Sequence, residues 1–451
     1  MNPKTIMKTR IPLAIALALL ALSILNSQFF TVFAQGNLTP PGPPAPTMKS
    51  LDQIEPRIPI SSLPFNITSP GSYYLTTNLT GVSGTNGITI TADNVTIDLR
   101  GFTLEGVPGA QDGIYVPGPT HYLNLTLQNG TVRGWPLNGV DADTARSCQF
   151  SQLYLTDNGV DGLNPGLNAI VHHCIADGNG LEGFGGVSDY QCTFDSCTAA
   201  NSGDAGFYVY SFCQFVNCNA NNNGDDGFNL DFQCITRDCT AVYNGANGID
   251  MPYTGCVAVH CICNNNWVGL QVGDHCTVQD CNATYNNSDG INAQTGSVIE
   301  SSEAGFNQGQ GINVEDNCAI AGCTTSGNAG AASVGILAGN GCSIKNCVAT
   351  GNPLNGIVVS NACFLEHNVC EANGGGGATD GGILCNGNEN RIDGNHFTDN
   401  NGNGLYLAGT NNTVICNSAK GNTTNYFVGA GNDVGPIGSA ATSTSPWANL
   451  Q

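Results

Sequence analysis

Residues 221–249 read NNNGDDGFNLDFQCITRDCTAVYNGANGI and hold one full repeat with the start of the next. Gly227-Phe228 opens the repeat, and Gly248-Ile249 reopens it 21 residues later. The same Gly-apolar mark falls at Gly206, Gly269, Gly290 and Gly311, each time after 21 residues. Backwards it reaches Gly183, Gly162, Gly139, Gly113 and Gly87; forwards it reaches Gly335, Gly356, Gly382 and Gly404. These fifteen marks lie 21 to 26 residues apart. Between marks the pattern has period two, as in Cys213-Gln-Phe215, Cys218-Asn-Ala220 and Phe228-Asn-Leu230. Triplets of this kind are short strands with one buried face, and Asn- and Gly-rich turns part them. Three strands in 21 residues make one coil of a parallel β-helix. A helical solenoid needs 3.6-periodic runs, and a leucine-rich repeat needs a Leu and Asn framework; neither is present. The expectation is an all-β, single-stranded right-handed parallel β-helix of about 15 coils, 21–26 residues each.

A second column supports the stack. Four residues before the mark, Asn recurs as Asn158, Asn179, Asn223, Asn244, Asn265, Asn286, Asn307, Asn352 and Asn400. Stacked amides at one turn hydrogen-bond from coil to coil. With these repeats, residues from about 65 to 430 resemble the parallel β-helix family that includes pectate lyases and related polysaccharide lyases, hydrolases and epimerases. The segments Pro64–Leu75, Gly421–Tyr426 and Pro446–Asn449 resemble the ends of uncharacterised secreted bacterial β-helix proteins. The resemblance implies a ligand lying along one strand face.

The first 34 residues have the signature of a signal peptide: Lys4, Lys8 and Arg10, an apolar run from Ile11 to Leu25, and Val32-Phe33-Ala34 before Gln35. The run falls short of the roughly 20 residues that a membrane span needs. The expected plan is a signal peptide over 1–34, a Pro-rich linker over 35–58, an N-terminal cap over 59–80, the β-helix over 81–430, and a tail or cap over 431–451. Caps are needed because a β-helix leaves open strand edges at both ends. This plan places the mature protein outside the cytoplasm, secreted or periplasmic. With 12 Lys+Arg against 34 Asp+Glu the net charge is −22, and loss of the basic leader makes it more acidic still. Such a surface repels nucleic acid and anionic lipid, and it repels a polyanionic sugar unless a cation bridges the two.

Sixteen of the 21 cysteines fall into two columns. Cys192, Cys213, Cys234, Cys256, Cys276, Cys318, Cys342 and Cys363 form one; Cys174, Cys197, Cys218, Cys239, Cys261, Cys281, Cys323 and Cys347 form the other. Both alternate with apolar residues and should point inward. They read as stacked core thiols, as vertical disulfides between coils, or as metal ligands. Ser297 and Ser302 replace both columns in one coil, which favours some pairing. His172-His-Cys174 and His260-Cys-Ile-Cys263 fall within the column pattern and read as ordinary coil residues.

The outward positions of the strand after each Gly give the candidate functional face. They include Asp141, Asp143, Asn164, Tyr208, Tyr210, Asn229, Asp231, Asp250, Gln271, Asn292, Gln294, Asn313 and Glu315. Beyond Gly335 the same positions lose their polarity, as Leu337, Gly339, Val358 and Ser360. Tyrosines stack on sugar rings, and carboxylates and amides hydrogen-bond hydroxyls. The face therefore suits a polysaccharide, with Tyr208, Tyr210, Asn229, Asp231, Asp250, Asn292, Asn313 and Glu315 as binding residues. Asp231 and Asp250 are the catalytic candidates, because carboxylates on neighbouring coils, about 6–9 Å apart, would admit an acid/base pair around a glycosidic bond. No metal site is read from these residues, although Ca²⁺ is a cofactor such oxygen ligands would accept. Asp225-Asp226 resembles one piece of the polygalacturonase pattern, but the His-Gly and Arg-x-Lys pieces are missing, and Asp226 shares a turn column with Asp112, Asp161, Glu182 and Asp289. Arg237 and Arg391 lie on other strands, so the face has no base or charge clamp of the polyuronate-lyase kind. The first reading is a secreted or surface β-helix that binds carbohydrate or serves as a structural module. The alternatives are a polysaccharide lyase, hydrolase or epimerase on the same face, and an adhesin that uses the whole side of the solenoid.

Overall fold

A computed structural model of the chain describes residues 55–186 and 190–451. The expected signal peptide, and the linker as far as residue 54, lie outside the described residues. From Arg57 to Gln451 the chain is one compact unit. All regular structure among the described residues is strand, and no helix there is long and apolar enough to cross a membrane. The chain winds as a right-handed parallel β-helix. Each regular coil carries a strand after the Gly mark (the Gly strand, for example Phe228–Leu230), a second strand (Ile235–Arg237) and a third (Thr240–Val242). Among the described residues seventeen Gly strands stack in one parallel ladder, two more than the marks counted in the sequence. The extra two, Phe65–Ile67 and Thr424–Val428, pair with Ile88–Ile90 and with the strand Asn403–Leu407, at the two ends.

The 21-residue register is set by close approach at the glycines. A Cβ on Gly227 would come within 2.5 Å of the Gly248 carbonyl oxygen and 2.7 Å of the Asn244 amide nitrogen. Inside the coil Phe207, Phe228, Ile249, Leu270, Ile291 and Ile312 are paired one above the next and are fully buried. Phe207 and Phe228 stack with centroids 4.7 Å apart. The six therefore form the single internal stack that the marks predict.

Corners explain the remaining columns. In the coil from Gly227 to Gly248, Gln233, Asp238 and Tyr243 have φ of 54°, 53° and 58°. Each is a single left-handed residue that bends one strand into the next, a conformation that carries a local steric cost. The residue after each corner points inward: Cys234, Cys239 and Asn244. Its backbone N–H is accepted by the side chain at the same place one coil further on. Asn223 N donates to Asn244 Oδ1 (3.2 Å), Cys192 N to Cys213 Sγ (3.3 Å), Cys276 N to Ser297 Oγ (3.1 Å) and Cys347 N to Asn368 Oδ1 (2.9 Å). Cys, Ser and Asn are thus alternative answers to one requirement, a polar atom beside a buried corner amide. Ser297 and Ser302 keep this bond, to Cys276 N and Cys281 N, so their place in the columns reflects backbone hydrogen bonding rather than lost pairing. Twenty cysteines are buried and Cys416 is exposed, with no disulfide among the described residues.

The amide ladder needs one correction. Asn266, not Asn265, carries it, accepting from Asn244 Nδ2 at 3.0 Å, while Asn265 is the corner with φ 57°. Counting back from the Gly mark fails here because the turn to Gly269 is one residue shorter. Longer turns hid Asn328 and Asn373, which also belong to the ladder.

Candidate functional site

The outward residue of each Gly strand falls into one register column. Tyr115, Asp141 and Asn164 are successive partners. Gly185 follows, paired with Tyr208. Above it run Tyr208, Asn229, Asp250, Gln271, Asn292 and Asn313, then Leu337 and Val358. Five of the sequence-predicted binding residues, Tyr208, Asn229, Asp250, Asn292 and Asn313, therefore share one line. Tyr210, Asp231 and Glu315 sit two residues further along, where the strand enters the next turn. Glu315 is exposed and accepts a bond from Thr295 Oγ1 at 3.1 Å.

The turn column behind this face is structural, as its regularity suggests. Asp112, Asp161, Asp226 and Asp289 each accept a backbone N–H of the following coil, at 2.9, 3.1, 2.7 and 2.7 Å. Two of them also fix the face. Asn229 Nδ2 donates to Asp226 Oδ2 at 3.1 Å, and Asn313 Nδ2 to Asp289 Oδ2 at 3.0 Å. Those amides are held in one orientation before any ligand arrives, so binding costs them little side-chain entropy.

Tyr208 and Tyr210 meet edge to face, with centroids 5.9 Å apart. Tyr210 stacks on Tyr190 at 5.4 Å, and Phe232 on Tyr253 at 4.3 Å. Tyr190, Phe232 and Tyr253 are exposed, so an aromatic ridge borders the polar column on the side of the second strands. The sequence reading missed these three because they lie in turns, where the count from the Gly mark changes. The signal was still present: an aromatic one to three residues before the first Cys column in successive coils.

Towards the N-terminus, Tyr115, Asp141, Asp143, Asp161, Asn164 and Gly186 line a notch of about 230 Å³. Asn164 is 8% exposed and its Oδ1 has no hydrogen-bond partner among the described residues. A neighbouring hollow of the same size shares Asp143 and adds His121, Arg146, Leu167 and Tyr190. The sequence placed Asp141, Asp143 and Asn164 on this face but not in its binding set. Arg146 escaped notice because it belongs to an isolated bridge, not to a strand triplet. Among the described residues no three His, Cys, Asp or Glu side chains converge to hold a metal.

Burial and mutual repulsion shift the face's titrations. Asp250 is pushed up to about 6 by burial and by the charges of Asp225 and Asp231, against a hydrogen bond from Asn247, and its Oδ1 is buried with no partner among the described residues. Asp141 is pushed to about 6 by burial, then by Asp112, Asp143 and Asp161. Asp226 rises to about 7 through burial and the charges of Asp250, Asp225 and Asp204. Burial raises Asp231 as well, and Tyr208 reaches about 12 through burial and Tyr210. Of the two carboxylates nominated for acid/base work, Asp250 is raised in part by the charge of Asp231 and Asp231 by burial, so both favour the protonated form more than a free carboxyl does.

A family model described as "Right handed beta helix region" matches residues 86–235 and 230–343, more than half of the chain. No curated protein matches it. Among solved structures, the chain is similar to the A-module of the Azotobacter vinelandii mannuronan C-5 epimerase AlgE4, at 12% identity over 66% of this chain and 86% of that one, with a TM-score of 0.32. It is also similar to the periplasmic alginate epimerase AlgG, at 12% identity over 67% and 75% with a TM-score of 0.33. For tailspike protein 3 of bacteriophage CBA120 the values are 12% identity over 82% and 59%, with a TM-score of 0.38.

Proposed function

The chain belongs to the right-handed β-helix family, and from that premise we propose that it binds an extended polysaccharide along its Gly-strand face. One observation carries the reading: the outward column is polar or aromatic from Asn66 to Asn313, interrupted only by Gly185, turns apolar at Leu337, Val358 and Leu384, and ends on the stacked pair Tyr406 and Phe427. A ligand spanning these coils meets amides and carboxylates at a regular rise of about 4.8 Å, with aromatic rings along one border. Hydrogen bonds to hydroxyls and ring stacking together are the chemistry of a sugar site.

A glycan array on the full chain tests this, followed by titration of the best polysaccharide fragment. Tyr208→Ala should weaken it by about tenfold through lost stacking. Wild-type affinity in both Tyr208→Ala and Asp250→Asn would reject the face as the site. A second reading, cleavage, is favoured by the notch, where Asp141 with its raised pKa lies close to Asp143, with Arg146 and His121 in the adjoining hollow. There a protonated carboxyl near pH 6 would serve as general acid. If the chain depolymerises the sugar it binds, Asp141→Asn or Asp250→Asn should abolish product formation and leave binding within about threefold. Whichever variant retains turnover excludes its carboxyl from the chemistry.

A further inference from the structure

The C-terminal tail builds a groove that the Gly-strand face does not use. Asp433–Val434 adds a rung above Thr413–Ile415, which lies above Arg391–Asp393. The tail then turns back. Ile437–Gly438 pairs with Asn449–Leu450, and Leu450 pairs with Ser418. Asn449 is fully buried and ends the ladder that begins in the second cysteine column: its Oδ1 accepts Asn417 N at 3.1 Å and Asn417 Nδ2 at 2.9 Å, and its Nδ2 donates to Val414 O at 3.0 Å. A Cβ at Gly435 would collide with the Trp447 carbonyl, so glycine there lets the two tail segments meet.

Trp447 stands just before this anchor. The residue is 57% exposed although Ala448 and Asn449 are 7% and 0%. The backbone is held on both sides, since Trp447 N donates to Ser445 Oγ (3.2 Å) and its carbonyl accepts from Cys416 N (3.4 Å). A large ring fixed in water by a buried neighbour adds nothing to the core; it is a preorganised platform. With Arg391, Thr413, Ile415, Asp433, Val434 and Pro436 it encloses a groove of about 460 Å³, inside the range of small-ligand sites.

We propose that this groove is a second carbohydrate site, for one or two neutral sugar rings. Trp447 offers the stacking face, Ile415 the apolar floor, and Thr413, Arg391 and Asp433 hydrogen-bond donors and acceptors on three successive rungs. Charge selects the class. Arg391 is already paired with Asp393 at 2.8 Å, and Asp433 adds a further negative charge, on a chain of net charge −22. A uronate would meet repulsion there, whereas a neutral diol accepts from Arg391 and donates to Asp433. The site lies on the second-strand face and does not depend on the Gly-strand reading.

The test uses tryptophan emission. The chain has three tryptophans; Trp135 is fully buried and Trp267 is exposed, so Trp267→Phe leaves Trp447 as the exposed reporter. Cello-, malto-, manno- and xylo-oligosaccharides are the neutral probes, and oligogalacturonate is the anionic one. At least one neutral probe should shift the emission and shield it from acrylamide. Trp447→Ala should then weaken binding by about tenfold, Trp447→Phe should retain most of it, and Tyr208→Ala should leave it unchanged. The proposal fails if no neutral probe perturbs Trp447, if oligogalacturonate alone does, or if Trp447→Ala binds as wild type. It also fails if sedimentation shows Trp447 buried against a second copy of the chain.

Discussion

At the scale of single residues, the position after each corner governs the molecule. A left-handed residue turns the chain, and the next side chain must satisfy a buried backbone amide from the coil before. Asn does this with two partners at once. Asn266 Oδ1 accepts from Asn244 N and Asn244 Nδ2, both at 3.0 Å, and Asn266 Nδ2 donates to Ala241 O at 2.9 Å. Replacing Asn266 with Ala strands these groups in the core and should cost about 3 kcal/mol. Replacing the adjacent Asn265 with Gly should change stability by no more than about 1 kcal/mol, because its φ of 57° already suits glycine. Urea unfolding of the two variants separates the assignments. If Asn265 proved the costlier change, the ladder would run through the position that the sequence count gave it.

At the scale of elements, the Gly strand was legible because two constraints mark it, period-two burial and a glycine that no Cβ can replace. The end coils escaped the count because one constraint lapses. Asn425 takes the Gly place in the last described coil, next to Gly404 in register, and among the described residues no further Gly strand lies above it to crowd a side chain. Pro64 takes that place in the first coil, and nothing in the structure explains the choice. The candidate site was half legible for a related reason. Residues on the strand, such as Tyr208 and Asp250, keep a fixed distance from the mark, while Phe232, Tyr253 and Arg146 sit in turns or bridges whose spacing drifts. The cysteine columns were legible as inward-facing, but their hydrogen-bonding role was not, since periodicity reports burial and not partners. That role has two measurable consequences. Cys276→Ser should be tolerated within about 1 kcal/mol and Cys276→Val should not, because serine keeps a polar atom for Cys256 N, which now donates to Cys276 Sγ at 3.3 Å. A thiol reagent should label Cys416 quickly in the native protein and the buried twenty only after denaturation. Rapid native labelling of many thiols would mean that the columns do not face the core.

At the scale of the whole molecule, acidity and fold pull against each other. A solenoid stacks equivalent residues one coil apart, so a carboxylate favoured at one position is repeated beside itself. Asp161 and Glu182 illustrate this on neighbouring coils of one turn column, and Asp112, Asp226 and Asp289 recur further along it, with Asp141 and Asp250 close by on the face. Each aspartate of the column supports its coil by accepting a backbone N–H, yet burial and like charges oppose ionisation across this region. Asp226 is raised from 3.8 to about 7, Asp141 and Asp250 to about 6, and Glu182 is raised by burial and by Asp161. The folded chain holds protons that the unfolded chain releases from pH 3.8 upward, so the destabilisation grows as pH rises through 6 and 7, is complete only above about 8, where Glu182 also ionises, and is relieved as pH falls through these values. Net charge acts in the same direction, because protonation lowers the self-repulsion of a −22 chain. Thermal unfolding should therefore show a midpoint a few degrees higher at pH 5 than at pH 8, by roughly 2–4 °C per kcal/mol recovered. Asp250→Asn should raise the midpoint at pH 8 and flatten the slope, since the amide carries no charge, Asp250 Oδ1 has no partner to lose among the described residues, and an amide oxygen can still accept from Asn247. A midpoint that falls on acidification, or an Asp250→Asn variant with the full wild-type slope, would mean that these carboxylates are ionised in the fold at little cost. The polar face would then be an ordinary hydrated surface, without the stored protonation free energy that a general acid requires.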